Sequence, residues 1–196
     1  MLSIKENVTN ELIINKSKFI TYLIKIEQME DINNELNLLK EKYPDATHYC
    51  YAYIYGNTKR FYDDGEPAGT AGRPILSVLE QNQLNNVLGI VIRYFGGKKL
   101  GTGGLIRAYR NSINECLKET KIIKLVDGVK MEIKFKYENQ NKIDYLLKDS
   151  QIIKKEFDEY IHYTFLINND NYHNIFNELK LQVTKINKIK NILIEK

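Results

Sequence analysis

Tryptophan is absent from this 196-residue chain, cysteine occurs twice and proline three times. Cys50 and Cys116 have no CxxC partner, and two cysteines do not make a disulfide framework. No apolar run approaches the ~20 residues of a membrane helix. The start, MLSIKENVTNEL, lacks a basic region followed by an apolar stretch, so no secretory signal is expected. The expectation is a cytoplasmic protein with both thiols reduced and no membrane contact. Glycine is scarce and uneven: there are eleven, and none from 129 to 196. Arginine is scarce too, five against twenty-four lysines. The net charge of +4 and pI near 8.8 permit a nucleic-acid partner without demanding one. An AT-rich genome also produces an excess of Asn, Ile and Lys, so lysine number is weak evidence by itself.

The rare residues converge on one stretch. Nine of the eleven glycines and two of the three prolines lie within 63–104. All five arginines, Arg60, Arg73, Arg93, Arg107 and Arg110, lie in or beside it. Glycine costs backbone entropy, so this density implies positive φ or close backbone approach. Two loops, DGEPAGTAGRP and FGGKKLGTGG, each lead into a helical pattern, with the apolar run Val87–Ile92 between them. Helix starts of this kind expose N–H groups and attract anions.

The flanking chain reads as α+β. Glu11–Ile14 and Lys18–Ile26 form strands around an Asn15-Lys16-Ser17 turn. Ile32, Leu36, Leu39 and Tyr43 recur at helical spacing before Pro44. His48–Tyr55 is a strand with Tyr49, Tyr51, Tyr53 and Tyr55 on one face, either a covered packing face or a base-stacking platform. A helix follows Pro74, Val87–Tyr94 is a buried strand, and a helix spans roughly 103–119. From Val129 the alternation VKMEIKFKY begins a β-α-β-β-α-β order, the split βαβ or ferredoxin-like arrangement. Two domains are therefore expected, 1–126 and 127–196, joined near Asp127-Gly128. Their formal charges are +3 and +1.

The site chemistry has two parts. Arg93, Gly96, Gly97, Lys98, Lys99, Gly101, Thr102, Gly103, Gly104, Arg107 and Arg110 combine amides with positive charge, which suits the phosphate of a nucleic acid or small nucleotide. The spacing fits neither a P-loop nor a dinucleotide fingerprint. Tight turns and helix-to-strand packing are the competing use of the glycines. Asp63, Asp64 and Glu66 place three carboxylates within four residues. They suit Mg²⁺ beside a phosphate, or a helix cap and ion pairs with Arg60, Arg73 or Arg93; the structural role is expected. His48 and Cys50 share a strand face without further metal ligands, and His162 and His173 offer no tight spacing. No metal, cofactor or catalytic residue is expected.

The motifs DDGEPAGTAGRP and VIRYFGGKKLGTGGLIRAY, with NKSKFI at 15–20 and ATHYCYAY at 46–53, closely resemble the signature of the IMPACT family, the YigZ-like proteins of bacteria and their eukaryotic relatives. The resemblance spans residues 16–119, and the tail resembles the C-terminal domain of the bacterial members. It implies a first domain of the ribosomal-protein type, like domain IV of elongation factor G, and a ferredoxin-like second domain, like domain V. It also implies a link to translation, because the eukaryotic relative restrains a kinase that controls initiation. The expected role is non-enzymatic binding of RNA, the ribosome or a translation-control protein. The alternative is an enzyme acting on a phosphorylated small molecule or nucleotide, with Mg²⁺ at the acidic loop.

Overall fold

The computed structural model describes residues 1–195, which pack as two compact units, Met1–Ile123 and a second that begins at Lys124. The strands and helices of the first are β1 (Leu2–Ile4), β2 (Val8–Ile14), β3 (Ser17–Lys25), α1 (Glu30–Lys42), β4 (His48–Tyr55), β5 (Thr58–Tyr62), α2 (Gly72–Gln81), β6 (Val87–Tyr94) and α3 (Gly101–Lys118). One antiparallel sheet runs β2-β3-β6-β4-β5. The central strand β6 is buried along nearly its whole length, which is why its sequence is apolar on both faces.

Each face of this sheet has its own core. On one face α2 and α3 cover Phe19, Leu23, Cys50, Ala52 and Val91, using Ile75, Leu79, Tyr109 and Ile113. On the other, Ile32, Leu36 and Leu39 of α1 cover Ile20, Leu88, Ile90 and Ile92. The tyrosine face of β4 lies on this second side. The Tyr49 hydroxyl donates to the Tyr43 carbonyl, and the Tyr55 hydroxyl donates to the Glu27 carbonyl at 2.8 Å. These rings use their apolar bodies for packing and their hydroxyls to fix the two ends of α1.

The second unit follows β7 (Ile122–Phe135), α4 (Gln140–Leu146), β8 (Gln151–Phe157), β9 (Ile161–Asn168), α5 (Asn169–Lys180) and β10 (Lys185–Glu195). Its strands lie side by side as β10-β7-β9-β8, every neighbouring pair antiparallel, which is the split βαβ topology. Val129, Met131, Ile133 and Phe135 of β7 and Ile161, Tyr163, Phe165 and Ile167 of β9 pack against Ile143 and Leu179 of the helices. Val126, Asp127 and Gly128 lie inside β7. Gly128 stands opposite Ile192 and Asn168, and a Cβ there would meet the Ile167 carbonyl oxygen at 2.8 Å. Close strand approach, not chain reversal, accounts for this glycine.

Candidate functional site

Two loops meet the α2/α3 side of the first sheet, and they behave differently. In the first, residues 63–71, all three carboxylates are engaged by groups of the fold, with Glu66 buried, Asp63 half-buried and Asp64 exposed. Ala71 caps α2 without a side-chain acceptor. Asp63 supplies one from upstream: its Oδ1 accepts from the Ala71 and Gly72 amides at 3.0 and 2.8 Å, and its Oδ2 from the Gly69 amide at 2.8 Å. A carboxylate at a helix start satisfies free amides and matches the positive end of the helix dipole. Asp64 Oδ2 accepts from the Tyr49 amide, and the Asp64 carbonyl accepts from His48 Nδ1, both at 2.7 Å.

Glu66 reaches deeper. Its Oε1 accepts from Arg93 Nη1 at 2.5 Å and from the Tyr109 hydroxyl at 2.8 Å. The pair is dry: the Arg93 and Glu66 side chains are 5% and 4% exposed. His48 Nε2 stands 3.9 Å from the same oxygen. The Arg93 guanidinium also reaches Ser17 Oγ at 3.3 Å and lies 5.5 Å from the ring centres of both Phe19 and Phe95. Cys50 Sγ donates to the Asp63 carbonyl at 2.9 Å and lies 3.3 Å from the Tyr109 hydroxyl. Burial pushes the Cys50 thiol and the Tyr109 hydroxyl up, and the neighbouring carboxylates add to the shift in both. The raised thiol keeps its proton, in line with its place as a donor to the Asp63 carbonyl. The network ties the first loop to β4, β6 and α3.

The second loop is turned outward. It is anchored by the Gly96 amide, which donates to Ser17 Oγ at 3.1 Å, and by the Phe95 amide, which donates to Thr47 Oγ1 at 3.0 Å. Gly96 presses so closely on the β2–β3 turn that a Cβ would lie 2.0 Å from the Lys16 carbonyl carbon. Beyond this anchor Gly97, Lys98 and Lys99 are exposed, and α3 begins at Gly101 with no side-chain cap from Leu100. Its first amides therefore have no acceptor within the helix. Thr102, Gly103, Arg107 and Arg110 are exposed along the first turns, with Gly104 half-buried. Arg107 folds back toward the helix start, its Nη1 3.5 Å from the Cβ position of Gly103. Among the described residues no carboxylate neutralises Lys98, Lys99, Arg107 or Arg110. This stretch thus combines free amides with four cations that no described carboxylate pairs, a combination whose charge suits an anion.

The residues singled out from the sequence thus divide. Of the acidic residues, Glu66 is buried and pairs with Arg93, Asp63 is half-buried at the start of α2, and Asp64 is exposed on the Tyr49 amide. Arg93 is only 4% exposed, apart from the surface cations with which the sequence grouped it. The physical reason is strand alternation: Arg93 projects on the same side of β6 as Val87 and Val91, beneath α3. Arg73 is exposed and lies over the Phe61 ring at 5.9 Å, and among the described residues it makes no ion pair with the acidic loop. Tyr109, Ser17 and Thr47 enter the site although their sequence context reads only as helix face and turns. Among the described residues no three of His, Cys, Asp and Glu are arranged to hold a metal ion.

The family model described as the Impact N-terminal domain matches residues 15–117. The IMPACT family member YvyE of Bacillus subtilis (strain 168) is 35% identical over 190 residues, covering 93% of this chain and 86% of its own length. The IMPACT family member YigZ of Escherichia coli (strain K12) is 33% identical over 155 residues, covering 76% of each chain. Among solved structures, one described as the crystal structure of an hypothetical protein has a TM-score of 0.67 and 28% identity, covering 96% of this chain and 97% of that one.

Proposed function

This chain belongs to the IMPACT family, and we propose that it acts in translation control without catalysing a reaction, by gripping RNA phosphates, free or on the ribosome. The observation that carries this reading is the uncapped start of α3 beside the exposed Lys98, Lys99, Arg107 and Arg110. Amides and cations recognise phosphate charge irrespective of base, so binding is tolerant of sequence. The family resemblance adds support, since it implies domains like two of elongation factor G, a ribosome-binding factor. The acidic loop favours a binder over a Mg²⁺-dependent enzyme, because the Asp63 and Glu66 carboxylates are already engaged by amides, Arg93 and Tyr109.

The test is binding of a single-stranded RNA oligonucleotide, with ribosome co-sedimentation beside it, at 50 and 200 mM salt. Four neutralised phosphates on a single strand give a log–log salt slope near −3, so affinity falls by about 50-fold across that range. Replacing Lys98 and Arg107 by Ala reduces the slope by about 1.4 and weakens all sequences alike. No binding at 50 mM salt rejects the function; unchanged affinity in the double variant rejects the site.

A further inference from the structure

A separate constellation of charge lies in the second unit, on the sheet face that its own helices leave uncovered. Val129, Met131, Ile133 and Phe135 point into the core with α4 and α5, so Lys130, Glu132 and Lys134 of β7 stand on the opposite face. His162 and Thr164 of β9 stand there by the same alternation. The strand registers place Lys134 directly opposite His162 on one side and Lys185 on the other. Three basic side chains therefore form a single row across β9, β7 and β10, ended on β8 by Glu156, which stands opposite His162 and pairs with Lys154. Directly opposed side chains in antiparallel strands start about 5 Å apart, and like charges at that spacing are destabilising. The next row is different, with Thr164, Glu132 and Asn187 side by side. A cavity of about 270 Å³ opens over the two rows, lined by Glu132, Ile133, Lys134, His162, Lys185 and Asn187.

The partners within the fold leave this charge only partly satisfied. His162 Nε2 lies 3.1 Å from Asp158 Oδ2. Lys134 Nζ sits 4.0 Å over the Tyr160 ring, and the same Asp158 carboxylate, held low by the Tyr160 amide first and then by His162 and Lys134, is the one negative charge these two basic groups share. Lys185 is exposed, and among the described residues it has no carboxylate partner.

We propose that this cavity binds the phosphate of a small phosphorylated sugar or nucleotide. Two ammonium groups and an imidazole converging from three strands match the charge and oxygen count of one phosphate. Asn187 and the Glu132 carboxylate, one row away, are suited to the hydroxyls of an attached sugar. The same carboxylate opposes a second phosphate, so the row is a point site and not a track along a polymer backbone. The volume admits a phosphate with a sugar ring and falls just short of usual drug-sized pockets. The like-charge row, unfavourable for the fold, is relieved when the anion arrives. This site is independent of the RNA surface on the first unit.

The experiment is an NMR titration of the full chain with ribose 5-phosphate, with ribose as the unphosphorylated control. Ribose 5-phosphate is expected to shift the signals of Lys134, His162, Lys185 and Asn187 saturably, and ribose is expected to leave them in place. Lys134→Gln and Lys185→Gln each weaken binding by about 10-fold, the loss of one charge-assisted hydrogen bond. Lys185→Gln keeps or raises the melting temperature, since it removes a like-charge neighbour and no ion pair among the described residues, which separates lost binding from lost folding. Lys190→Gln, on the same strand but opposite Lys130, leaves binding unchanged. The proposal is overturned by no saturable shift, by an equal response to ribose, or by equal weakening in all three variants. It is also overturned if a twelve-nucleotide oligouridine binds at these residues while ribose 5-phosphate does not.

Discussion

At the scale of residues, Glu66 is the atom-level hub of the first unit. One oxygen accepts from Arg93 and Tyr109, and both ionic side chains are almost wholly withdrawn from water. A buried pair is costly to form and more costly to break, because the remaining charge keeps its desolvation without its partner. Glu66→Gln is expected to lower stability by about 1–3 kcal/mol, since the amide oxygen still accepts one bond but the counter-charge is gone. Glu66→Ala loses both and costs about 3–5 kcal/mol. Glu66→Leu combined with Arg93→Met recovers most of that loss, because no charge is then left buried. Urea unfolding measures all three. In the same experiment Mg²⁺ is expected to leave the wild-type midpoint unmoved, because a ligand stabilises only by binding the native state. A Mg²⁺-dependent rise that Glu66→Gln abolishes, with metal-free stability intact, overturns this assignment.

At the scale of elements, the glycines of the second loop perform separable tasks. Gly96 lies against backbone, with a Cβ position 2.0 Å from the Lys16 carbonyl group, and backbone cannot rotate out of the way. Gly97 has φ of 79° with open space around its Cβ position. Gly96→Ala is therefore expected to cost more than about 2 kcal/mol by displacing the β2–β3 turn. Gly97→Ala costs only the left-handed strain of about 1–2 kcal/mol. Thermal unfolding of the two variants side by side gives the order, and a reversal of that order contradicts this account. Most elements themselves are legible in the chain. The alternation from Val129 and the helical spacing of Leu105, Ala108, Tyr109, Ile113 and Cys116 report burial directly, and burial has the period of the element. β5 is not legible, because TKRFY is an edge strand with mostly exposed side chains and no alternation. The cap of α2 is hidden as well, since Asp63 acts from eight residues before Ala71 through the fold of the loop. For Arg93 a signal was present: the apolar alternation of β6 already places it on the Val91 side. The glycines beside it suit the anion set and the acidic residues suit an ion pair, and the structure has the pair, with Glu66.

At the scale of the whole molecule, the groups that resist ionisation are divided unequally. Burial pushes the Cys116 thiol up to about 12 and Tyr51 up to about 12, with the Tyr62, Tyr53 and Asp64 charges adding to the latter. Cys50 and Tyr109 are pushed up further, Cys50 by burial against the lowering pull of its Tyr109 hydrogen bond, and Tyr109 by burial, then Cys50, then Glu66. All four lie in the unit Met1–Ile123, and both cysteines of the chain are among them. A thiol whose folded pKa exceeds its unfolded value keeps its proton in the native state after the unfolded chain has released it. The native state then binds more protons than the unfolded one, so stability falls as pH rises. The contribution is intact below the ordinary thiol value near 9 and is lost between there and about 12. At pH 10.5 each thiol withdraws about 2 kcal/mol relative to pH 8, and the loss falls on the first unit alone. A urea titration followed by methyl NMR resolves the two units, through Ile75 and Ile113 in the first and Ile133 and Ile161 in the second. The midpoint reported by Ile75 and Ile113 is expected to drop on moving to pH 10.5, and that reported by Ile133 and Ile161 to drop much less. Replacing Cys50 and Cys116 by Ala lowers the starting stability and removes most of the difference in slope. An equal drop in both sets of methyl signals, or the same alkaline slope in the double variant, places the alkaline sensitivity elsewhere than in these two buried thiols.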